Sequence, residues 1–112
     1  MKRYSISKAA DYAEEKVRFC YWGRTDNPEQ VIEEYKNTPY ERCIRITDST
    51  TKKVVYKDIR KVRGCLLITY KSGRQEKLYY SDLNYMRKWE HWYLYEASFK
   101  DNISSIERTI LN

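Results

Sequence analysis

At 112 residues the chain is long enough to bury one core without disulfide or metal support. Its 41% apolar content, with only three Gly and two Pro, excludes a disordered or fibrous chain. The formal net charge of +6 lies wholly in residues 41–90, where thirteen Lys/Arg face six Asp/Glu; residues 1–40 balance at seven each, and 91–112 carry two against three.

No run approaches the roughly 20 apolar residues of a membrane-spanning helix, so no membrane partner is expected. The start, Met1-Lys2-Arg3-Tyr4, has no apolar stretch behind its basic residues and does not read as a signal peptide. Cys20, Cys43 and Cys65 are an odd set without a C-x-x-C pair, as expected of free thiols in a cytoplasmic protein.

In chain order, Ser7 is a candidate N-cap. Ala10, Ala13, Val17 and Cys20 recur behind it at three- and four-residue steps, with Asp11, Glu14, Glu15 and Lys16 between, which predicts an amphipathic helix. Its far end, Val17-Arg18-Phe19-Cys20-Tyr21-Trp22, also alternates like a strand, and Gly23 closes it in either case. Asn27-Pro28-Glu29 starts a second helix with Val31, Ile32 and Tyr35 on one face, ended by Thr38-Pro39. From Tyr40 the period turns to two. Ile44 and Ile46 mark a strand, Asp48-Ser49-Thr50-Thr51 a turn, and residues 52–59 a second strand. Gly64 reads as a bulge or bend. Residues 65–70 and 75–80 flank Lys71-Ser72-Gly73-Arg74 as a hairpin. Ser81-Asp82-Leu83 can cap a helix, which the cap favours over residues 83–97, although the run 89–95 also suits a strand. Phe99, Ile103, Ile106 and Ile110 at steps of four, three and four predict a short C-terminal helix. The sum is an α+β fold: an antiparallel β-meander of about four strands packed against N-terminal helices and a short C-terminal helix, in one compact domain over 1–112.

Chemistry is sparse. His91 is the single histidine, and no local pattern sets a cysteine or carboxylate beside it as a nucleophile pair. Short zinc-ligand spacings and phosphate-cradling glycine loops are both missing, so neither metal nor cofactor is expected, and the chain reads as no enzyme. Scattered carboxylates leave a metal-dependent nuclease as the open catalytic alternative.

Binding is therefore the expectation. Twelve Tyr and three Trp accompany the basic excess. Arg42, Arg45, Lys53, Lys57, Arg60, Lys61, Arg63, Lys71, Arg74, Lys77, Arg87 and Lys88 are the candidate contacts to an anionic partner, nucleic acid or a nucleoprotein complex. Such groups neutralise phosphates. Tyr56, Tyr70, Tyr79, Trp89 and Trp92 are candidates to stack on bases or anchor a protein. The competing account is ordinary: lysines on a solvated sheet edge and tyrosines in a core. A second reading is a protein–protein inhibitor of a nucleoprotein enzyme, the kind of small basic protein that mobile elements encode as anti-CRISPR inhibitors. That comparison is one of type and not of sequence. Self-association into a homodimer through exposed aromatics is a further alternative.

Overall fold

The computed structural model describes residues 2–9 and 16–111, which fall into two compact units, 2–9 with 16–61, and 62–111. The expected α+β class is corrected: the chain is mostly β, with two antiparallel sheets, one in each unit.

The first unit holds β1 (Tyr4–Ala9), β2 (Phe19–Thr25), α1 (Pro28–Lys36), β3 (Cys43–Asp48) and β4 (Val54–Ile59), with sheet order β2-β1-β3-β4. The expected N-terminal helix from Ser7 is corrected: Ser7 lies inside β1, opposite Tyr21 on one side and Arg45 on the other. Ala10, Asp11, Ala13, Glu14 and Glu15, on which that reading also leaned, lie outside the described residues. A serine that caps helices is also a small strand residue, and β1 is a central strand whose ladder bonds come from partners far along the chain. Gly23 does not end the segment either; it pairs with Ile6 beside a bulge, and β2 runs on to Thr25.

Asn27 and Pro28 start α1 as expected, the Asn27 side chain accepting from the Gln30 N–H at 3.3 Å. Its Val31 and Tyr35 bury against Ile6, Ile44 and Ile46, so α1 covers one face of the sheet. Between β3 and β4, Asp48 folds the turn back: its Oδ1 accepts from the Thr50 N–H at 2.9 Å, and its carboxylate takes a bidentate pair from Arg3, with Nη2 at 2.7 Å. Arg3 holds the Asp48 carboxyl well below the usual carboxylate range, at about 2. A depressed folded-state value contributes stability above the unfolded value of about 3.9 that is lost as pH falls through about 2. Chemical denaturation at pH 5, 4, 3 and 2 should therefore show the stability gap between wild type and Asp48→Asn closing across that window. A gap constant from pH 5 to 2 would refute the linkage.

The second unit holds β5 (Gly64–Tyr70), β6 (Gln75–Tyr80), α2 (Leu83–His91), a π-helical turn (Trp92–Glu96), a 3₁₀ turn (Lys100–Asn102) and β7 (Ile103–Ile110), with sheet order β6-β5-β7. The expected four-strand meander is thus corrected: β3–β4 and β5–β6 are hairpins of different sheets, because β7 takes the edge of β5 that a meander would give to β4.

The expected C-terminal helix is corrected to the strand β7. Its misleading signal has a physical cause. A bulge lies between Thr69 and Tyr70 in the β5–β7 register, so Ile103 pairs with Tyr70, Ile106 with Ile68 and Ile110 with Gly64. Spacings of three and four on one strand face result, the same spacings that a helix stripe has.

Residues 83–91 are helical, with the Asp82 carboxylate accepting from the Asn84 N–H at 3.1 Å. Gly64 is neither bulge nor bend. A Cβ there would meet Met86 Sδ at 2.8 Å and Leu83 Cδ2 at 2.9 Å, so the missing side chain lets α2 lie close on β5. Met86 is fully buried and has little room to yield. Gly64→Val should cost about 1–3 kcal/mol or more, read from the chemical-denaturation midpoint; an unchanged midpoint would show that α2 yields freely.

Candidate functional site

In the first unit the sheet face opposite α1 carries Ser5, Ser7 and Ala9 from β1, Phe19 and Tyr21 from β2, Arg45 and Thr47 from β3, and Lys57 from β4. Tyr21, Ser7, Arg45 and Lys57 form one row across all four strands. Ser7 and Ala9 on the central strand are small. Long side chains from β3 and β4 extend over that strand: the Arg45 guanidinium carbon lies 4.7 Å from the Phe19 ring centroid, and Lys57 Nζ lies 5.6 Å from it. Neither cation has a carboxylate partner among the described residues. Tyr21 is 68% exposed and shares this face.

The other basic candidates of this unit lie elsewhere. Arg42 is 3% exposed and sits just before β3. Arg60 caps the C-terminal end of α1. Its guanidinium donates to the carbonyls of Tyr35 at 2.7 Å, Thr38 at 2.6 Å and Glu41 at 2.8 Å, and it lies 4.0 Å over the Tyr35 ring. The Tyr35 and Thr38 carbonyls also accept the N–H groups of Thr38 and Glu41, each at 3.1 Å, and the planar fork suits their remaining lone pairs. The Tyr35 hydroxyl donates to Asp58 at 2.8 Å; burial first, then that carboxylate, pushes its phenol pKa upward. Lys53 and Lys61 are exposed, and Tyr56 packs half-buried against the core.

Comparison with protein-family models, with curated proteins and with solved structures finds no match to this chain. The site has to be read from its own chemistry. Among the described residues no three His, Cys, Asp or Glu side chains gather as a metal site, and no helix is long and apolar enough to cross a membrane.

In the second unit Arg63 and the hairpin tip with Lys71 and Arg74 lie at opposite ends of β5. Arg74 stacks 4.5 Å over Tyr70, a buried ring whose hydroxyl donates to Glu76 at 2.9 Å. Lys77 lies 5.6 Å from the half-buried Tyr79 ring, on the face away from α2. Arg87 and Lys88 are exposed on α2. A chain of ring contacts runs from Tyr80 through Tyr85 and Trp89 to Trp92, Tyr93 and Phe99. Burial pushes the Tyr93 phenol pKa up within it. Beside this chain lies a cavity of about 340 Å³ lined by Lys88, Trp89, His91, Trp92 and Glu96.

The structure thus brings Arg45 with Lys57, and Lys88 with Trp89 and Trp92. It commits Arg60 to main-chain carbonyls. Sequence reading missed Phe19, Tyr21, His91 and Glu96 as site residues. The alternation of residues 17–22 carried the signal for the first two.

Proposed function

We propose that this protein is a non-enzymatic binding protein for single-stranded nucleic acid, and that the Phe19, Tyr21, Arg45 and Lys57 face of the first sheet is the contact surface. The observation that carries this reading is a pair of cations over an aromatic ring, without a carboxylate partner among the described residues, on the sheet face opposite α1. Two such cations attract phosphates, a guanidinium plane and the exposed Tyr21 ring offer stacking faces to unpaired bases, and every base has a face to stack. A duplex would present only its backbone to the rings.

The test is equilibrium binding of short single-stranded DNA and RNA over a salt series. Affinity should fall with added salt, with a log–log slope of about −1.4 or steeper if Arg45 and Lys57 each meet a phosphate. No binding at about 50 mM salt, where such contacts are strong, would sink the proposal. The runner-up, an inhibitor of a nucleoprotein enzyme, would use the Trp89 and Trp92 surface as its anchor. A protein that captures such an enzyme yet binds no oligonucleotide would favour it.

A further inference from the structure

The cavity beside α2 has a more specific chemistry than general strand binding. Trp89 and Trp92 meet at 5.3 Å with their planes 75° apart, giving two adjoining flat walls. The π-helical turn that starts at Trp92 closes with the Ala97 N–H donating to the Trp92 carbonyl at 2.8 Å. Such turns insert a residue into the helical repeat and often mark functional sites. His91 faces the same space and contacts Tyr95, with ring centroids 4.9 Å apart. Lys88 and Glu96 complete the lining; both are exposed and neither forms an ion pair among the described residues. They are eight positions apart, on the order of 10 Å along the helix axis. A cation stands at one end, a carboxylate at the other, and aromatic walls lie between.

We propose that this cavity takes one guanine nucleotide, with the base against Trp89 and Trp92, its Watson–Crick edge on Glu96 and its phosphate on Lys88. A carboxylate is acceptor-only and offers two oxygens. Guanine is the base that sets two adjacent N–H donors, N1 and N2, on that edge. Adenine and cytosine place an acceptor nitrogen beside their amine, and uracil flanks its single N–H with two carbonyls. Those lone pairs repel the carboxylate. Lys88 disfavours the other natural occupant of an aromatic-walled site, a quaternary ammonium, and favours an anion. The inference rests on the nucleic-acid reading in that a strand would deliver the base, but the pocket lies in the other unit from the Arg45 and Lys57 face.

The experiment uses Trp22→Phe protein, so that Trp89 and Trp92 alone report, titrated with guanosine, adenosine, cytidine and uridine monophosphates, with guanosine, and with choline. Guanosine monophosphate should quench the fluorescence saturably and bind at least about tenfold tighter than the other three. Glu96→Gln should lose about tenfold or more of that affinity, and Lys88→Gln should abolish the preference for the nucleotide over guanosine. Both changes are on exposed side chains, and circular dichroism checks the fold. Equal binding of all four bases, unchanged binding by Glu96→Gln, or saturable quenching by choline alone would each overturn the proposal. If the pocket fails while oligonucleotides still bind through Arg45 and Lys57, only the pocket is lost. If guanosine monophosphate binds but oligonucleotides do not, the sheet-face reading is the one that falls.

Discussion

Replacing Arg45 and Lys57 together by glutamine should weaken binding of a short single strand about tenfold or more at low salt and make the log–log salt slope shallower by about 1.4, two phosphate contacts at about 0.7 each. The unfolding midpoint should fall only by what the two contacts to Phe19 contribute, because neither side chain bonds to a carboxylate among the described residues. The cation–π contacts to Phe19 that disappear are worth about 0.5–1 kcal/mol each at such exposed sites. Phe19→Leu separates the two contributions: it keeps the charges and so the salt slope, while removing the aromatic surface beneath them. Should the double variant bind with the wild-type slope, the contact surface lies elsewhere. Lys53→Gln with Lys61→Gln, two exposed lysines off this row, is the matched control for net charge.

Arg60→Ala should destabilise the first unit by about 3 kcal/mol, while Lys61→Ala, one residue on and exposed, should stay within about 0.5 kcal/mol of wild type. One carbonyl in the last turn of α1 and two in the segment that follows it lose a charged donor at once, and each such bond is worth about 1.5–3 kcal/mol, with the sum well short of additive. The Tyr35 ring also loses its cover. Arg60→Lys should recover only part of the loss, since an ammonium cannot set a planar fork between three acceptors. Chemical denaturation of the three variants decides it. Equal midpoints for Arg60→Ala and Lys61→Ala would mean that water satisfies those carbonyls and that Arg60 is a surface charge like its neighbour.

This contrast between neighbouring basic residues bears on what a sequence can say. Arg60-Lys61-Val62-Arg63 reads as one basic corner, yet its members have different work: Arg60 caps a helix, Lys61 is solvated, and Arg63 sits at the start of the second unit, its N–H donating to the Tyr80 carbonyl at 2.8 Å. Nothing local distinguishes them. The elements with chemical punctuation were legible: Asn27-Pro28 for α1, Gly73 with a positive φ of 89° for the β5–β6 hairpin, and Asp82 for α2. Elements defined by pairing were not. Ser7 reads as the cap of a following helix although it pairs within β1, and β7 reads as a helix because a bulge sets its isoleucines at steps of three and four.

By itself the sequence determined the charge balance and ring content of the chain: an excess of cations over residues 41–90 amid tyrosine and tryptophan. It also determined the turns and caps, because these depend on a few adjacent residues and their own backbone preferences. Only the tertiary structure decided which cations remain available. Arg42 and Arg60 are drawn inward, while Arg45 and Lys57 meet Phe19 of β2 across the intervening strand β1. Strand register joins residues far apart in the chain, and the free energy that selects it comes from burying Ile6, Ile44 and Ile46 under α1, a collective quantity that no local window contains.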